Sequence, residues 1–244
     1  MTANVVKSWP TSNRRTAEQS SPLSDGFGSR FLEGLLKPDL ELVLSAATKR
    51  RCLANSVVTN QGDPADYLFL LTKGCARYFV MTPDGRKVLL HWLGPGEVFG
   101  GAALLESPST YLVSTEMVMD SWVLVWRRKT IRELAAKYPE LMENALLIAF
   151  DYMTLFVAAH VALVSHSARE RLAGVLVSLA DGFGKDVSGG VKLVITNEEL
   201  ANAANVTPFT ASRVLSEWHR SGAVVKSRGG VILSAPHKLL LHKV

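Results

Sequence analysis

The sequence has little cysteine: of its 244 residues only Cys52 and Cys75 carry thiols, and they do not form a C-x-x-C pair. A disulfide framework or a four-thiolate metal site within one chain is thereby excluded. Also missing is any uncharged apolar run of about 18 residues, the length a membrane helix needs. The N-terminus has no signal-peptide apolar core, so the expected location is the cytoplasm, without membrane contact. No Walker loop, metal-ligand motif or adjacent Asp/His/Ser constellation appears, and nothing points to an enzyme. There is no acidic excess either. Lys and Arg number 27 against 22 Asp and Glu, a formal charge of +5 that permits nucleic-acid binding without requiring it.

What is present is a substantial core and a clear order of parts. Hydrophobic residues make up 48% of the chain, which excludes wholesale disorder, and the length suits two modest domains. Residues 1–28 are rich in Ser, Thr, Asn, Pro and Gly and read as a flexible tail. Residues 29–132 read as an antiparallel roll or barrel. Short β-prone runs at 56–59, 67–71, 75–80, 87–93 and 121–126 alternate with Gly-containing corners such as Lys73-Gly74, Asp84-Gly85 and Gly94-Pro95-Gly96.

Residues 133–167 read as helix, broken at Pro139. Leu141, Ala145, Ile148, Tyr152, Leu155, Ala159, Ala162 and His166 recur at alternating spacings of four and three, the spacing of a coiled-coil seam. Leu146, Leu147, Phe150, Phe156, Val157 and Leu163 add further apolar surface. One stripe suits a partner helix and the others suit the roll. A symmetric dimer through the seam is the preferred reading over a helix buried inside a monomer. Glu143, Asp151 and His160 interrupt the helix as a membrane span.

Residues 168–244 form the most informative region. A helix from Ala168 is expected to stop at Asp181-Gly182-Phe183-Gly184, and 191–195 reads as a strand. Thr196 with Glu199 three residues later matches a capping box. Asn205-Val206 makes a turn, and Thr207-Pro208 then caps a second helix whose Ala211, Val214, Leu215 and Trp218 share one side. A helix, a tight turn and a second helix with a polar face form a unit that docks in the DNA major groove. Lys226-Ser227-Arg228-Gly229-Gly230 reads as the tip of a wing. The candidate DNA-binding residues are Thr207, Pro208, Phe209, Thr210, Ser212, Arg213, Ser216, Lys226 and Arg228. Arg213 is the expected base reader, because a guanidinium can bond guanine O6 and N7 together. Thr207, Thr210 and Ser212 suit phosphate or base edges, and Lys226 and Arg228 suit phosphate. The region carries 10 basic against 6 acidic residues, so most of the chain's positive excess lies here.

In their order these parts resemble the cyclic-AMP receptor and fumarate–nitrate regulator (Crp/Fnr) superfamily of bacterial transcription factors. The resemblance covers about residues 30–235. Its marks are Asn60-Gln61-Gly62-Asp63, Lys73-Gly74, Asp84-Gly85-Arg86, Gly94-Pro95-Gly96-Glu97-Val98-Phe99-Gly100, Ile195-Thr196-Asn197-Glu198-Glu199-Leu200-Ala201 and Thr210-Ala211-Ser212-Arg213-Val214-Leu215. It implies an α+β chain: a double-stranded β-helix or jelly-roll sensor domain, a long dimerisation helix and a winged helix-turn-helix. It also implies a homodimer on double-stranded DNA of approximate two-fold symmetry, with RNA polymerase as a further partner open to this class.

The departures concern the signal. The effector pocket expected from the resemblance involves Phe99, Gly100, Gly101, Ala102, Thr110, Tyr111 and Tyr152. Where the family's nucleotide pocket has Gly-Glu-Leu, this chain has Gly100-Gly101-Ala102. Where the family has Arg-Ser or Arg-Thr, it has Ser109-Thr110-Tyr111-Leu112. The carboxylate for the ribose and the cation for the phosphate are both missing, and a phosphate buried without them is costly. The sequence therefore argues against cyclic AMP in the usual clamp, and two cysteines argue against an iron–sulfur cluster. No cofactor is expected. Haem has weak support, since the family's carbon-monoxide sensors carry Cys and His near Gly100 and Ala102, although His91, His160 and His166 remain as ligands elsewhere. Cys52 or Cys75 could act as a redox switch, but a buried inert thiol is the preferred reading. Pro208-Phe209 stand where the receptor pattern has Arg-Glu, so its half-site does not carry over. The preferred function is a dimeric, sequence-specific regulator answering a small molecule or redox signal, or binding DNA constitutively. A ligand-binding module without transcriptional function and a haem-dependent gas sensor are the alternatives.

Overall fold

A computed structural model describes residues 28–107, 109–227 and 229–239. The expected tail, apart from Gly28, and Arg228 at the expected wing tip lie outside the described residues. The chain divides into two compact units, one ending at Tyr152 and the other beginning at Met153.

The first unit is an antiparallel roll of two four-stranded sheets. Its strands are β1 (Thr48–Cys52), β2 (Val57–Thr59), β3 (Tyr67–Lys73), β4 (Ala76–Met81), β5 (Lys87–Leu93), β6 (Val98–Phe99), β7 (Ser114–Met117) and β8 (Ser121–Arg127). One sheet runs β1-β8-β3-β6 and the other β2-β7-β4-β5. The two-residue period of β3 sets two cores. Phe69 and Leu71 face the roll interior with Cys52, Ala76, Tyr78, Leu93, Phe99, Met117 and Val123. Leu68 and Leu70 face the other way, against Phe31, Val43, Trp126, Ile131, Leu134 and Leu141. Burial on both faces is why this strand reads as an unbroken apolar run.

The helices on the outer side are α1 (Lys37–Ser45), α2 (Arg128–Lys137) and the start of α3 (Pro139–Ser165). Trp126 Nε1 donates to Val43 O at 2.8 Å, and Asn144 Nδ2 donates to Phe31 O at 3.2 Å and Glu33 O at 2.8 Å. These bonds tie α1 and the turn before it to the sheet and to α3.

Three strands of the roll, β1, β6 and β7, fall outside the β-prone runs, and two of them are hidden by their chemistry. β1 is exposed along Thr48–Arg51, yet Lys49 lies over the Trp122 ring and Arg50 over Phe69, so charged side chains cover apolar surface. β7 is buried along its length but polar, and hydropathy does not mark it.

The seam expected on α3 lies on the side of the helix that is partly covered within the single chain. Every member from Leu141 to His166 is buried or half-buried within the single chain. Leu141, Ala145 and Ile148 pack in the helix-side core, Tyr152 packs on the roll core, and Ala162 is 2% exposed. The outward row is Leu146, Phe150, Met153, Val157, His160 and Val164, with the same alternation of four and three. Both rows satisfy the heptad rule because the helix is apolar on more than one side. Periodicity finds the rows but not which of them the roll takes. By length and composition α3 is also apolar enough to cross a membrane, with mean hydropathy 1.9 in its best window, 6% of which is buried.

The second unit holds α4 (Ala168–Phe183), β9 (Lys185–Val187), β10 (Gly190–Leu193), α5 (Asn197–Ala203), α6 (Pro208–Arg220), β11 (Val224–Ser227) and β12 (Gly230–Leu233), with a sheet ordered β11-β12-β10-β9. α4 runs past Asp181-Gly182 and stops only at Gly184. A Cβ on Gly182 would meet nothing, whereas one on Gly184 would lie 2.1 Å from Val191 Cγ1. The close approach of β10, rather than the first glycine met, ends the helix.

Candidate DNA interface and sensor cluster

The two helices of the reading unit are set by local bonds. Thr196 Oγ1 accepts from Glu199 N at 3.1 Å, and Glu199 Oε2 accepts from Thr196 N at 2.8 Å, completing the capping box. Asn205 turns the chain with φ 49°. Thr207 Oγ1 then accepts from Thr210 N at 3.1 Å, with Pro208 in the first turn of α6. Asn197 Nδ2 donates to Pro208 O at 2.9 Å, fastening the start of α5 to the start of α6.

α6 buries Ala211, Val214, Leu215 and Trp218 and turns Phe209, Ser212 and Arg213 outward, with Phe209 79% exposed. Thr207 and Pro208 lie exposed at its start, and Thr210 is half-exposed with its hydroxyl 2.9 Å from that of Thr207. Ser216 is engaged on the protein: its hydroxyl donates to Ser212 O at 2.7 Å and accepts from Lys226 Nζ at 2.9 Å. Lys226, expected at phosphate, is thus drawn toward α6 and links it to β11. A groove of about 340 Å³ runs between α5, α6 and the wing, with Thr196, Asn197, Ser212 and Lys226 on its walls.

Three residues missed in the sequence support this unit. Arg171 donates to His166 O at 2.7 Å, Ala204 O at 2.9 Å and Asn205 O at 3.2 Å. Arg169 donates to Glu217 Oε2 at 2.7 Å and to Leu239 O at 3.1 Å, and its guanidinium lies 5.3 Å from the Trp218 ring centre. Glu217 also accepts from Arg213 Nη1 at 3.3 Å. Apart from the i,i+4 pair of Arg213 and Glu217, no local motif announces these contacts, which join residues up to 70 positions apart.

In the roll, Phe99, Ala102, Tyr111 and Tyr152 gather at one core, whereas Gly101 and Thr110 lie at the surface. Tyr111 fills the space beside Gly100. Its hydroxyl donates to Tyr67 O at 3.0 Å and accepts from Tyr67 N at 3.1 Å, and a Cβ on Gly100 would come within 3.2 Å of its ring. Phe69 and Phe99 stack at 4.6 Å. Further along the roll, the Tyr152 hydroxyl donates to Glu97 Oε1 at 3.5 Å, and the Tyr152 ring meets those of Tyr78 and His91 edge-on at 5.8 and 5.4 Å. His91 Nε2 lies 3.7 Å from Glu97 Oε1. Burial pushes the Tyr78 and Tyr152 hydroxyls well above the usual tyrosine range. Burial, helped by the Glu97 charge, pushes the Cys75 thiol up to about 12. Such a thiol is almost wholly protonated near neutral pH, which disfavours Cys75 as a redox switch. Cys52 is buried, and both thiols are free. Among the described residues no group of three or more His, Cys, Asp or Glu side chains is placed to hold a metal ion.

These features define a β-roll sensor fold followed by a winged helix-turn-helix, the build of a one-component transcription regulator. Residues 49–138 match the cyclic nucleotide-binding domain and residues 170–241 the Crp-like helix-turn-helix domain. The Cyclic AMP receptor protein of Thermus thermophilus is 30% identical over 206 residues, 84% of this chain and 92% of that protein. The Anaerobic regulatory protein of Bacillus subtilis is 24% identical over 220 residues, 86% of each chain. Among solved structures, the c-di-GMP responsive global regulator CLP of Xanthomonas campestris superposes with TM-score 0.71 at 20% identity, over 80% of this chain and 98% of that one. The chain belongs to the Crp/Fnr family of DNA-binding transcription regulators.

Proposed function

We propose that the chain acts in the cytoplasm as a homodimer that reads a two-fold DNA site through α6, with α3 as the dimer helix. The observation that carries this reading is the exposed face of α6. Arg213, Ser212 and Phe209 project from a helix whose opposite side is locked into its own domain. The outward row of α3 supplies the partner surface. Leu146, Met153, Val157 and Val164 are 56–79% exposed, at the spacing by which two parallel helices interlock. Coverage by a second copy accounts for this apolar helix better than a membrane does, because Leu141, Ala145, Ile148 and Tyr152 of the same helix are already packed against the roll.

The roll's signal is not a cyclic nucleotide held by a phosphate clamp. Tyr111 occupies the space beside Gly100, and residues 109–113 carry no cation. With Tyr111 beside Gly100, constitutive DNA binding or a ligand of different shape is the favoured reading. RNA polymerase is the further partner by which such a dimer would act on transcription.

Selection of duplexes from a random pool with purified protein tests the reading. A recovered site with two half-sites about 34 Å apart is expected. Arg213→Ala should cost about 1–3 kcal/mol in binding that site and relax one base position, with folding unchanged. Recovery of no preferred sequence defeats the proposal, and so does a large thermal stabilisation by cyclic AMP for the part concerning the clamp.

A further inference from the structure

We propose that Glu217 is a positioning residue: it holds the Arg213 guanidinium in the orientation that reads a base, and it does so because Arg169 anchors it. The proposal rests on the assignment of α6 as the DNA-reading helix. Arg213 projects from the middle of α6 with 61% of its side chain exposed. Left alone, a long side chain there samples many rotamers and must give them up on binding DNA. An exposed ion pair one helical turn apart restrains such a group only weakly.

Glu217 is not an ordinary exposed partner. One carboxylate oxygen faces Arg213 at 3.3 Å while the other is taken by Arg169 at 2.7 Å. Arg169 is only 17% exposed and is fixed at three points: Glu217, the Leu239 carbonyl and the face of Trp218. Trp218 is fully buried, and its Nε1 donates at 2.7 Å to the same Leu239 carbonyl. The turn near the C-terminus, the buried tryptophan and Arg169 thus form a rigid base. Glu217 extends that base to the Arg213 guanidinium, which can make a bidentate base contact.

A carboxylate on a DNA-facing helix also repels phosphate, so the two roles of Glu217 have opposite signs. Removing its charge should leave sequence-independent binding unchanged or stronger, because one negative charge is gone. The same change should weaken discrimination, because Arg213 is no longer held. A residue serving only to stabilise the fold would move both affinities together.

The test compares dissociation constants for the duplex recovered by selection and for a scrambled duplex of the same length, at two salt concentrations. The proteins are full-length wild type, Glu217→Gln, Arg213→Ala and the double variant, each with a thermal melt. In Glu217→Gln the ratio of scrambled to selected dissociation constants should fall about three- to tenfold, while affinity for the scrambled duplex holds or rises. In the Arg213→Ala background the second change should leave the ratio where it was. A ratio unmoved by Glu217→Gln but lowered by Arg213→Ala overturns the positioning role alone. A ratio unmoved by Arg213→Ala overturns the base-reading assignment, and the positioning role with it. Should Glu217→Gln melt below the assay temperature, Arg169→Lys decides by the same ratio. It keeps the positive charge but loses the planar fork, and an unchanged ratio there counts against the proposal.

Discussion

Leu141 and Leu146 lie five residues apart on α3, yet trimming each to alanine should have different consequences. Leu146 is 70% exposed in the single chain, whereas Leu141 is fully buried among Trp126, Ile131 and Leu134. Burying a leucine completely is worth about 1.5–3 kcal/mol. The exposed share of Leu146, less the Cβ that alanine keeps, then amounts to about 1–1.5 kcal/mol per protomer. A two-fold interface counts the change twice, which gives about 2–3 kcal/mol per dimer. Leu146→Ala should therefore raise the dimer dissociation constant about 30- to 150-fold and leave the melting temperature of the folded roll nearly unchanged. Leu141→Ala should instead cost about 2–5 kcal/mol of fold stability, with the dimer constant of the protein that remains folded unaltered. Sedimentation equilibrium over a range of concentrations, paired with thermal melts, separates the two. An unmoved dimer constant in Leu146→Ala, or a wild type that is monomeric at micromolar concentration, refutes the outward row as the dimer surface.

Three further outcomes follow from the roll. Burial raises the Glu116 carboxyl, but hydrogen bonds from Lys87 at 2.6 Å and Arg77 at 2.7 Å outweigh it and hold the group below its ordinary 4.5. A carboxyl whose folded value is depressed gives stability that is complete above its unfolded value and is lost as pH falls through the folded one. Glu116→Gln should thus cost about 1–3 kcal/mol at neutral pH, and its melting-temperature gap from wild type should close on acidification below 4.5; a gap that widens toward acid contradicts this. With its thiol pushed up to about 12, Cys75 should react slowly with a thiol reagent at neutral pH, and mild oxidation should not alter DNA binding; rapid labelling confined to Cys75 would show the opposite. Gly100 has φ +80°, and a Cβ there would lie 2.6 Å from Tyr67 O. Gly100→Ala should therefore destabilise the roll by at least about 1–3 kcal/mol, measurably more in denaturant melts than Gly85→Ala, where a Cβ meets open space.

The parts that were legible in the sequence are those written in local chemistry. The capping box at Thr196 and Glu199, the Thr207-Pro208 start of α6, the break at Pro139 and the turn at Gly85 each depend on residues within four positions, and each is found as read. Long-range partnership was not legible. β1 looked too charged and β7 too polar to be strands, because cation–ring contacts and the Arg77–Glu116–Lys87 cluster come only from neighbouring strands. The row of α3 that the roll takes depends on which side of the helix meets Leu68 and Leu70, information that the helix does not carry. In the candidate DNA site, Arg213 was visible by its residue type and position, whereas Arg169 and its link to Glu217 were not, because Arg169 meets Glu217 and Leu239 only through the fold, 48 and 70 positions away. Tyr111 was visible as a departure from a family pattern, but its filling of the space beside Gly100 required the strand holding Tyr67.

The Arg171 guanidinium acts as a rivet. It joins His166, one residue beyond the end of α3, to Ala204 and Asn205, the turn that launches α6. Charge-assisted bonds of this kind cost about 1.5–3 kcal/mol each to break unmade. Small displacements of the last turn of α3 are therefore cheaper to pass on to the turn than to absorb. The linkage has little mechanical slack, so the residue after α3 and the turn before α6 are held together by one side chain.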